Sequence, residues 1–282
     1  MRVFVTGAAG QLGCDVCREL ERRGWEYRGA SSREMDVTDA AAVDAVLGAY
    51  APDAVIHCAA WTKVDAAEDD PDACWAVNAE GTANVAAACA RLGAKLLYLS
   101  TDYVFPGTGE TPYKTTDPVG PLSVYGKSKL AGEQAAERLL DRLFIVRISW
   151  VFGKNGKNFV KTMLRLAETK TELGVVADQI GSPTYTADLA PLLCDMIETE
   201  KYGVYHATNE GECSWAELAE EIFRRTGKTV KVDRLTTEQY PAKAPRPRNS
   251  RLDKGSLTAA GFAPLPDWHD ALDRYLKEIE AI

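Results

Sequence analysis

Histidine is scarce: three in 282 residues, with no metal-ligand spacing among them. His57 ends an apolar run, His206 follows a strand-like Gly-Val-Tyr and His269 opens the last helical pattern, so structural roles are expected of all three. Positive charge is in deficit, 33 Lys and Arg against 41 Asp and Glu, a net −8 at pH 7. That field repels phosphate backbones and anionic membrane surfaces, so no nucleic-acid or membrane partner is expected. An anionic small ligand would need a locally basic pocket. No run approaches the ~20 apolar residues of a spanning helix. Met1–Val5 meets a glycine turn too soon for the apolar core of a signal peptide. The seven cysteines are odd in number and sit mostly in apolar or helical-looking runs, which reads as reduced thiols in a cytoplasmic protein. Cys14 and Cys17 form a C-x-x-C with no second pair to complete a zinc site, and no metal site is expected. Internal repeats and low-complexity segments are also lacking.

What is present is alternation. Apolar runs at Arg2–Thr6, Trp25–Ala30, Asp53–Cys58, Lys95–Ser100 and Leu143–Ser149 predict strands. Helical patterns run to about Arg23, over Ala40–Tyr50, over Pro71–Leu92 as one long helix, and over Tyr125–Leu140. Strand runs without polar alternation, separated by helices, predict a parallel sheet covered on both faces. The fold class expected is α/β, a Rossmann-like doubly wound sheet with a smaller C-terminal substrate-binding α/β domain. The expected division is 1–153 with about 186–207 for the dinucleotide, and about 154–185 with 208–282 for the substrate. Pro241–Ser250 is read as an ordered loop closing over a pocket, and Asp267–Ile282 as the final helix.

Gly7-Ala8-Ala9-Gly10-Gln11-Leu12-Gly13 lies between the first strand and helix. Glycines there permit a tight turn and close backbone approach, and a dinucleotide pyrophosphate sits on the N–H groups of the helix start. No Gly-Lys-Ser/Thr follows, which excludes a P-loop. At the tip of the second strand an acid would hold the ribose of NADH and an arginine the 2′-phosphate of NADPH. Ser31, Ser32 and Arg33 favour NADPH, with Glu34 next door pulling the other way; Asp36 and Val37 are candidates for the adenine edge.

Tyr125 and Lys129 stand at i and i+4 on one helical face. An ammonium so close is expected to draw the phenol pKa down from ~10 toward neutrality, making Tyr125 able to protonate a carbonyl oxygen. Thr101, at the carboxyl end of the fourth strand, can hydrogen-bond the same oxygen, and Asp102 is a candidate to hold a substrate hydroxyl or to cap the turn. Lys154, Lys157, Lys161 and Arg165, and Lys243, Arg246, Arg248, Arg251 and Lys254, form two basic clusters able to concentrate an anion.

Together the glycine turn, Cys58-Ala59-Ala60-Trp61-Thr62, Val77-Asn78-x-x-Gly81, Ser100–Gly107 (STDYVFPG) and Tyr125–Gly132 (YGKSKLAG) resemble an extended short-chain dehydrogenase/reductase. Arg147–Phe152 (RISWVF), Asn158–Leu166, Asp178–Thr184 (DQIGSPT) and Arg246–Asp253 (RPRNSRLD) narrow the resemblance to the dTDP-4-dehydrorhamnose reductase family. The resemblance implies reduction of a nucleotide-sugar 4-ketone by NAD(P)H, with Thr101, Tyr125 and Lys129 catalytic. For the cofactor it implies Gly7, Gly10, Gln11, Leu12, Gly13, Ala59, Ala60, Thr62, Asn78, Tyr125 and Lys129. For the substrate it implies Thr101, Asp102, Tyr103, Trp150, Asn158, Gln179 and Arg246. Some members bind Mg²⁺ at a dimer contact; no motif here decides that, nor between monomer and homodimer. Trp61 stands where many members carry histidine. The alternatives are an epimerase or dehydratase on the same scaffold, or a non-catalytic NADP-binding regulatory subunit.

Overall fold

The computed structural model describes residues 1–240 and 242–282; Pro241, first residue of the loop expected over 241–250, lies outside them. The first half runs β1 (Arg2–Thr6), α1 (Gln11–Arg22), β2 (Glu26–Ala30), α2 (Ala40–Tyr50), β3 (Ala54–His57), α3 (Val64–Asp69), α4 (Pro71–Trp75), α5 (Gly81–Leu92), β4 (Lys95–Thr101), α6 (Val124–Leu139) and β5 (Leu143–Ile148). After it come β6 (Val151–Phe152), α7 (Phe159–Leu166), β7 (Glu172–Val176), β8 (Ile180–Gly181), β9 (Thr184–Tyr185), α8 (Thr186–Glu198) and β10 (Gly203–His206). The chain ends with β11 (Cys213–Ser214), α9 (Trp215–Arg225), β12 (Lys231–Leu235), β13 (Asn249–Ser250), α10 (Gly255–Ala259) and α11 (Trp268–Glu278).

Every residue of β3, β4 and β5 is buried, which is why these runs lack polar alternation. They form the middle of a parallel sheet in the order β10-β5-β4-β3-β1-β2. One face is covered by α1 and α8, which set Val16, Leu20, Leu189 and Leu193 against Val5, Ile56, Leu97 and Phe144. On the other face α2, α5 and α6 set Val43, Leu47, Val85 and Ala136 against Phe4, Val55, Tyr98 and Ile145. The long helix expected over Pro71–Leu92 is interrupted by a π-helical turn at Ala76–Glu80. The first half also contains α3, which the sequence reading omitted.

A second core, with Phe152, Val160, Met163, Phe223, Leu272 and Tyr275, gathers α7, α9 and α11 around the short β strands of the later chain. Between α7 and α9 the chain returns to the main sheet, where α8 lies against α1 and β10 pairs with β5. Beneath the α6 face, Arg147 of β5 grips Glu133 of α6 bidentately, Nε to Oε1 at 2.9 Å and Nη2 to Oε2 at 2.7 Å.

His57 lies between the Thr6 and Thr82 hydroxyls at 2.7 and 3.2 Å, and the Asp253 carbonyl accepts from His206 Nδ1 at 3.1 Å. Burial drags both imidazoles down to about 3. Among the described residues no cysteine is in a disulfide, and no helix is long and apolar enough to cross a membrane.

Candidate active site

Ligands of open parallel sheets bind outside the carboxyl ends of the strands, and there a cleft of about 440 Å³ opens. The glycine turn contributes Gly7, Gly10, Gln11, Leu12 and Gly13; the segment after β3 contributes Ala60 and Thr62. Thr101, Asp102, Tyr103, Tyr125, Lys129, Trp150, Lys157 and Trp215 complete much of the wall.

The dinucleotide end fits a pyrophosphate. Gly7 has φ +62°, and a Cβ on it would lie 2.7 Å from Ala59 N; on Gly13 it would lie 2.3 Å from Gly7 O. No side chain caps α1 at Gly10 and no acid stands in its first turn, so its first N–H groups are free to meet an anion. At the tip of β2 the turn is already engaged. Ser31 N and Oγ both donate to Glu34 Oε2, at 2.7 and 2.9 Å, bonds that hold the Glu34 carboxyl below its usual range. Ser32 and Arg33 are exposed beside it. Arg33→Ala is expected to weaken NADPH more than NADH by roughly 1–3 kcal/mol, the value of a charge-assisted contact. Fluorescence titration with both cofactors checks this, and equal losses would remove the phosphate-reading role.

Other expected cofactor residues are occupied elsewhere. Asn78 is fully buried; its Oδ1 accepts from Trp61 N at 2.8 Å, and its Nδ2 donates to Trp61 O at 3.1 Å and Ser128 Oγ at 3.0 Å. It pins the segment after β3 and does not line the cleft. Ala59 N donates to Thr6 Oγ1 at 3.1 Å. Asp36 Oδ1 caps its own turn by accepting from Thr38 N and Oγ1 at 2.9 and 2.8 Å, and Val37 is buried.

Ser123 opens α6 by accepting from Gly126 N at 3.1 Å, which sets Tyr125 in the first turn and Lys129 one turn on. The Tyr125 phenol has the Thr101 hydroxyl beside it, and the Tyr103 ring stands edge-on at 5.4 Å. The expectation that Lys129 acidifies this phenol is overturned. Lys129 Nζ instead donates to Leu99 O at 2.6 Å and lies 4.2 Å from the centre of the Tyr98 ring. Burial governs both groups: it pushes the phenol well above its ordinary range and pulls the lysine down to about 7. Tyr125 is therefore firmly protonated, the state of a proton donor. Thr101 Oγ1 donates to Asp102 Oδ1 at 3.0 Å, and burial pushes the Asp102 carboxyl up to about 6.

Tyr103 also borders a second cavity of about 250 Å³, with Phe159, Met163, Val176, Gln179, Trp215, Tyr240 and Arg246. Arg246 donates to Tyr103 OH at 3.1 Å and to Asp65 Oδ2 at 2.6 Å; Gln179 Nε2 donates to Thr237 Oγ1 at 3.2 Å. Trp150 is left-handed at φ +50° and stacks on Trp215 with centroids 3.7 Å apart. Trp215, Phe159 and Tyr240 were missed from the sequence. Trp215 is the first helical residue within the helix-starting Ser214-x-x-Glu217 capping box, a signal that could have drawn attention to it.

Two substrate-end expectations need correction. Asn158 caps α7, accepting from Lys161 N at 3.0 Å, and its Nδ2 donates to Gln11 Oε1, Gly153 O and Tyr275 OH at 3.1, 2.9 and 3.0 Å. Its polar atoms are spent on joining segments. The C-terminal basic cluster is paired with acids: Lys243 with Asp69, Arg248 with Glu238, Arg251 with Glu212 and Lys254 with Glu210. Of the other cluster, Lys161 is turned onto the carbonyls of Lys154 and Gly156, and Lys157 alone lines the cleft. Among the described residues no group of three His, Cys, Asp or Glu side chains is arranged to hold a metal ion.

The family described as RmlD substrate binding domain matches residues 1–281. The dTDP-4-dehydrorhamnose reductase of Streptomyces griseus is 46% identical over 278 residues, 96% of this chain and 91% of that one. A spore coat polysaccharide biosynthesis protein, SpsK of Bacillus subtilis strain 168, is 43% identical over 98% of this chain and 97% of its own. The crystal structure of dTDP-4-dehydrorhamnose reductase from Bacillus anthracis strain Ames in complex with NADP superposes with TM-score 0.96 at 44% identity, covering 98% of this chain and 99% of that one. With likeness running the whole length of the sequence and through the backbone as well, the chain belongs to the RmlD family, that of the dTDP-4-dehydrorhamnose reductases.

Proposed function

We propose that the protein reduces the 4-keto group of dTDP-4-dehydro-L-rhamnose with NADPH, giving dTDP-L-rhamnose. The observation that carries this reading is the half-buried Tyr125 phenol beside the Thr101 hydroxyl, in the same cleft as the uncapped glycine turn. The names of the relatives and the NADP in the Bacillus anthracis structure support it.

In this reading the first N–H groups of α1 hold the pyrophosphate, Ser31, Ser32 and Arg33 the 2′-phosphate once Glu34 is displaced, and Lys129 the nicotinamide ribose. NADPH supplies the hydride. Tyr125 gives the ketone oxygen its proton, and Thr101 orients that oxygen by a hydrogen bond. Trp150 offers its indole to the sugar's apolar face, and Lys157, Gln179 and Arg246 face the nucleotide diphosphate. Residues 1–153 with about 186–207 serve the dinucleotide, and about 154–185 with 208–282 the sugar nucleotide.

Glu34 at the tip of β2 favours a second reading, an NAD⁺-retaining epimerase. The test is to generate dTDP-4-dehydro-L-rhamnose in situ and follow the absorbance of NADPH and NADH with the purified protein. Stoichiometric NADPH loss with formation of the 4-hydroxyl sugar is expected. Isomerised sugar without net cofactor loss would make the protein an epimerase, and neither change would leave it a binding subunit.

A further inference from the structure

The Thr101 hydroxyl has one hydrogen to give and competing places to give it. It donates to Asp102 Oδ1 at 3.0 Å, while its oxygen accepts from Tyr103 N at 3.2 Å and the Tyr125 phenol lies beside it. An ionised carboxylate is an acceptor only. While Asp102 is ionised it keeps the threonine hydrogen, and a ketone in the cleft receives none from Thr101. A protonated Asp102 reverses the bond: its carboxyl O–H donates to Thr101 Oγ1, and the threonine hydrogen turns to the cleft. We propose that Asp102 is a positioning residue whose protonation sets the direction of the Thr101 hydroxyl and thereby switches the site's ability to polarise a ketone. This rests on the reductase reading of the same site.

The burial of Asp102 favours the protonated state. The residue is 3% exposed, and its Oδ2 has no hydrogen-bond partner at normal geometry. A buried carboxylate oxygen without a donor is poorly solvated, a penalty that protonation removes. After burial, the leading influences on Asp102 are the Ser250 hydroxyl of β13, the Thr101 hydroxyl and backbone N–H groups of its own turn. From α6 it faces Tyr125, and from its own turn Tyr103, whose hydroxyl is held by Arg246 with Asp65 behind. Desolvation outweighs the hydrogen bonds and moves the carboxyl from 3.8 to about 6. The folded chain thus holds the proton below about 6 and releases it above, so the Thr101 donor is present on the acid side and withdrawn as pH rises.

The test compares kcat/KM for dTDP-4-dehydro-L-rhamnose across acid to neutral pH in the wild type, Asp102→Asn and Asp102→Ala. Alongside it, carbon NMR of side-chain-labelled aspartate follows the free wild type. The Asp102 carboxyl, assigned by the loss of its signal in Asp102→Asn because burial also raises Asp15, is expected to titrate near 6, and wild-type activity to fall through that pH. The asparagine N–H donates to Thr101 Oγ1 at every pH, so that variant lacks this fall whatever its absolute rate. Asp102→Ala removes the carboxylate that captures the threonine hydrogen, so this variant too lacks the fall near 6. Lys129, near 7, adds a separate decline common to all three proteins. An asparagine or alanine variant that bends at the wild-type pH, or an Asp102 carboxyl that titrates in the ordinary range, would overturn the proposal. Should the alanine variant not fold, the asparagine comparison and the carbon titration decide. A wild type that reduces no sugar sinks the reductase reading alone. The carboxyl titration, expected to move further up in Thr101→Val as a bond to the carboxylate is lost, then still tests the Asp102–Thr101 coupling.

Discussion

Tyr125→Phe loses about 10²–10⁴-fold in kcat, the range for a removed general acid, and leaves NADPH affinity nearly unchanged. The variant deletes one hydroxyl and keeps the ring against Tyr103. The Thr101 hydroxyl remains, but its hydrogen is committed to Asp102 while that carboxyl is ionised. Because burial raises the phenol, Tyr125 stays protonated throughout the neutral range and imposes no alkaline decline on ketone reduction there. In the opposite direction the same oxygen must be a phenolate to take a proton, so oxidation of the alcohol accelerates as pH rises. Steady-state kinetics in both directions check both statements. Turnover near the wild-type level would transfer the acid role to another group.

Glu133→Ala is the substitution expected to damage folding most. Arg147 and Glu133 are 5% and 2% exposed, and Arg147 Nη1 already lacks a partner. Removing the carboxylate strands a buried guanidinium, which costs about 3–5 kcal/mol. Replacing both residues by methionine restores most of that, since no uncompensated charge is left behind. The loss reaches the site because Arg147 stands opposite Ser100 in the β4–β5 register, one residue before Thr101. Urea unfolding of the two variants measures it. A Glu133→Ala protein within about 1 kcal/mol of wild type, the ordinary effect of a point substitution, would show that the pair does not hold these strands together.

How much of this was legible beforehand follows from the range of the forces involved. Strands such as Lys95–Thr101 announce themselves because burial on both faces leaves an unbroken apolar run. The glycine turn is legible because its constraint is local backbone geometry. Lys129 was placed correctly on its helix and misread in its action, because the Leu99 carbonyl that captures its amine comes from a different strand. Asn158 carried a local signal, a capping residue ahead of a helical run, and a reading as ligand passed over it. The basic residues after 240 looked free because their partners Asp69, Glu212 and Glu238 lie in other segments. The second cavity draws on residues from Tyr103 to Arg246, and no single stretch of sequence carries its outline.

The two locked histidines have a bearing on how this enzyme should be probed. His57 and His206 are 1% and 0% exposed, which leaves His269 on α11, with 49% of its side chain exposed, as the imidazole that an acylating reagent can reach. That residue is not part of the cleft wall. Inactivation experiments with histidine-selective chemicals therefore interrogate the wrong part of the molecule. A bend in the rate near neutrality, conventionally credited to imidazole, is expected here from Asp102 and Lys129, which burial moves to about 6 and about 7.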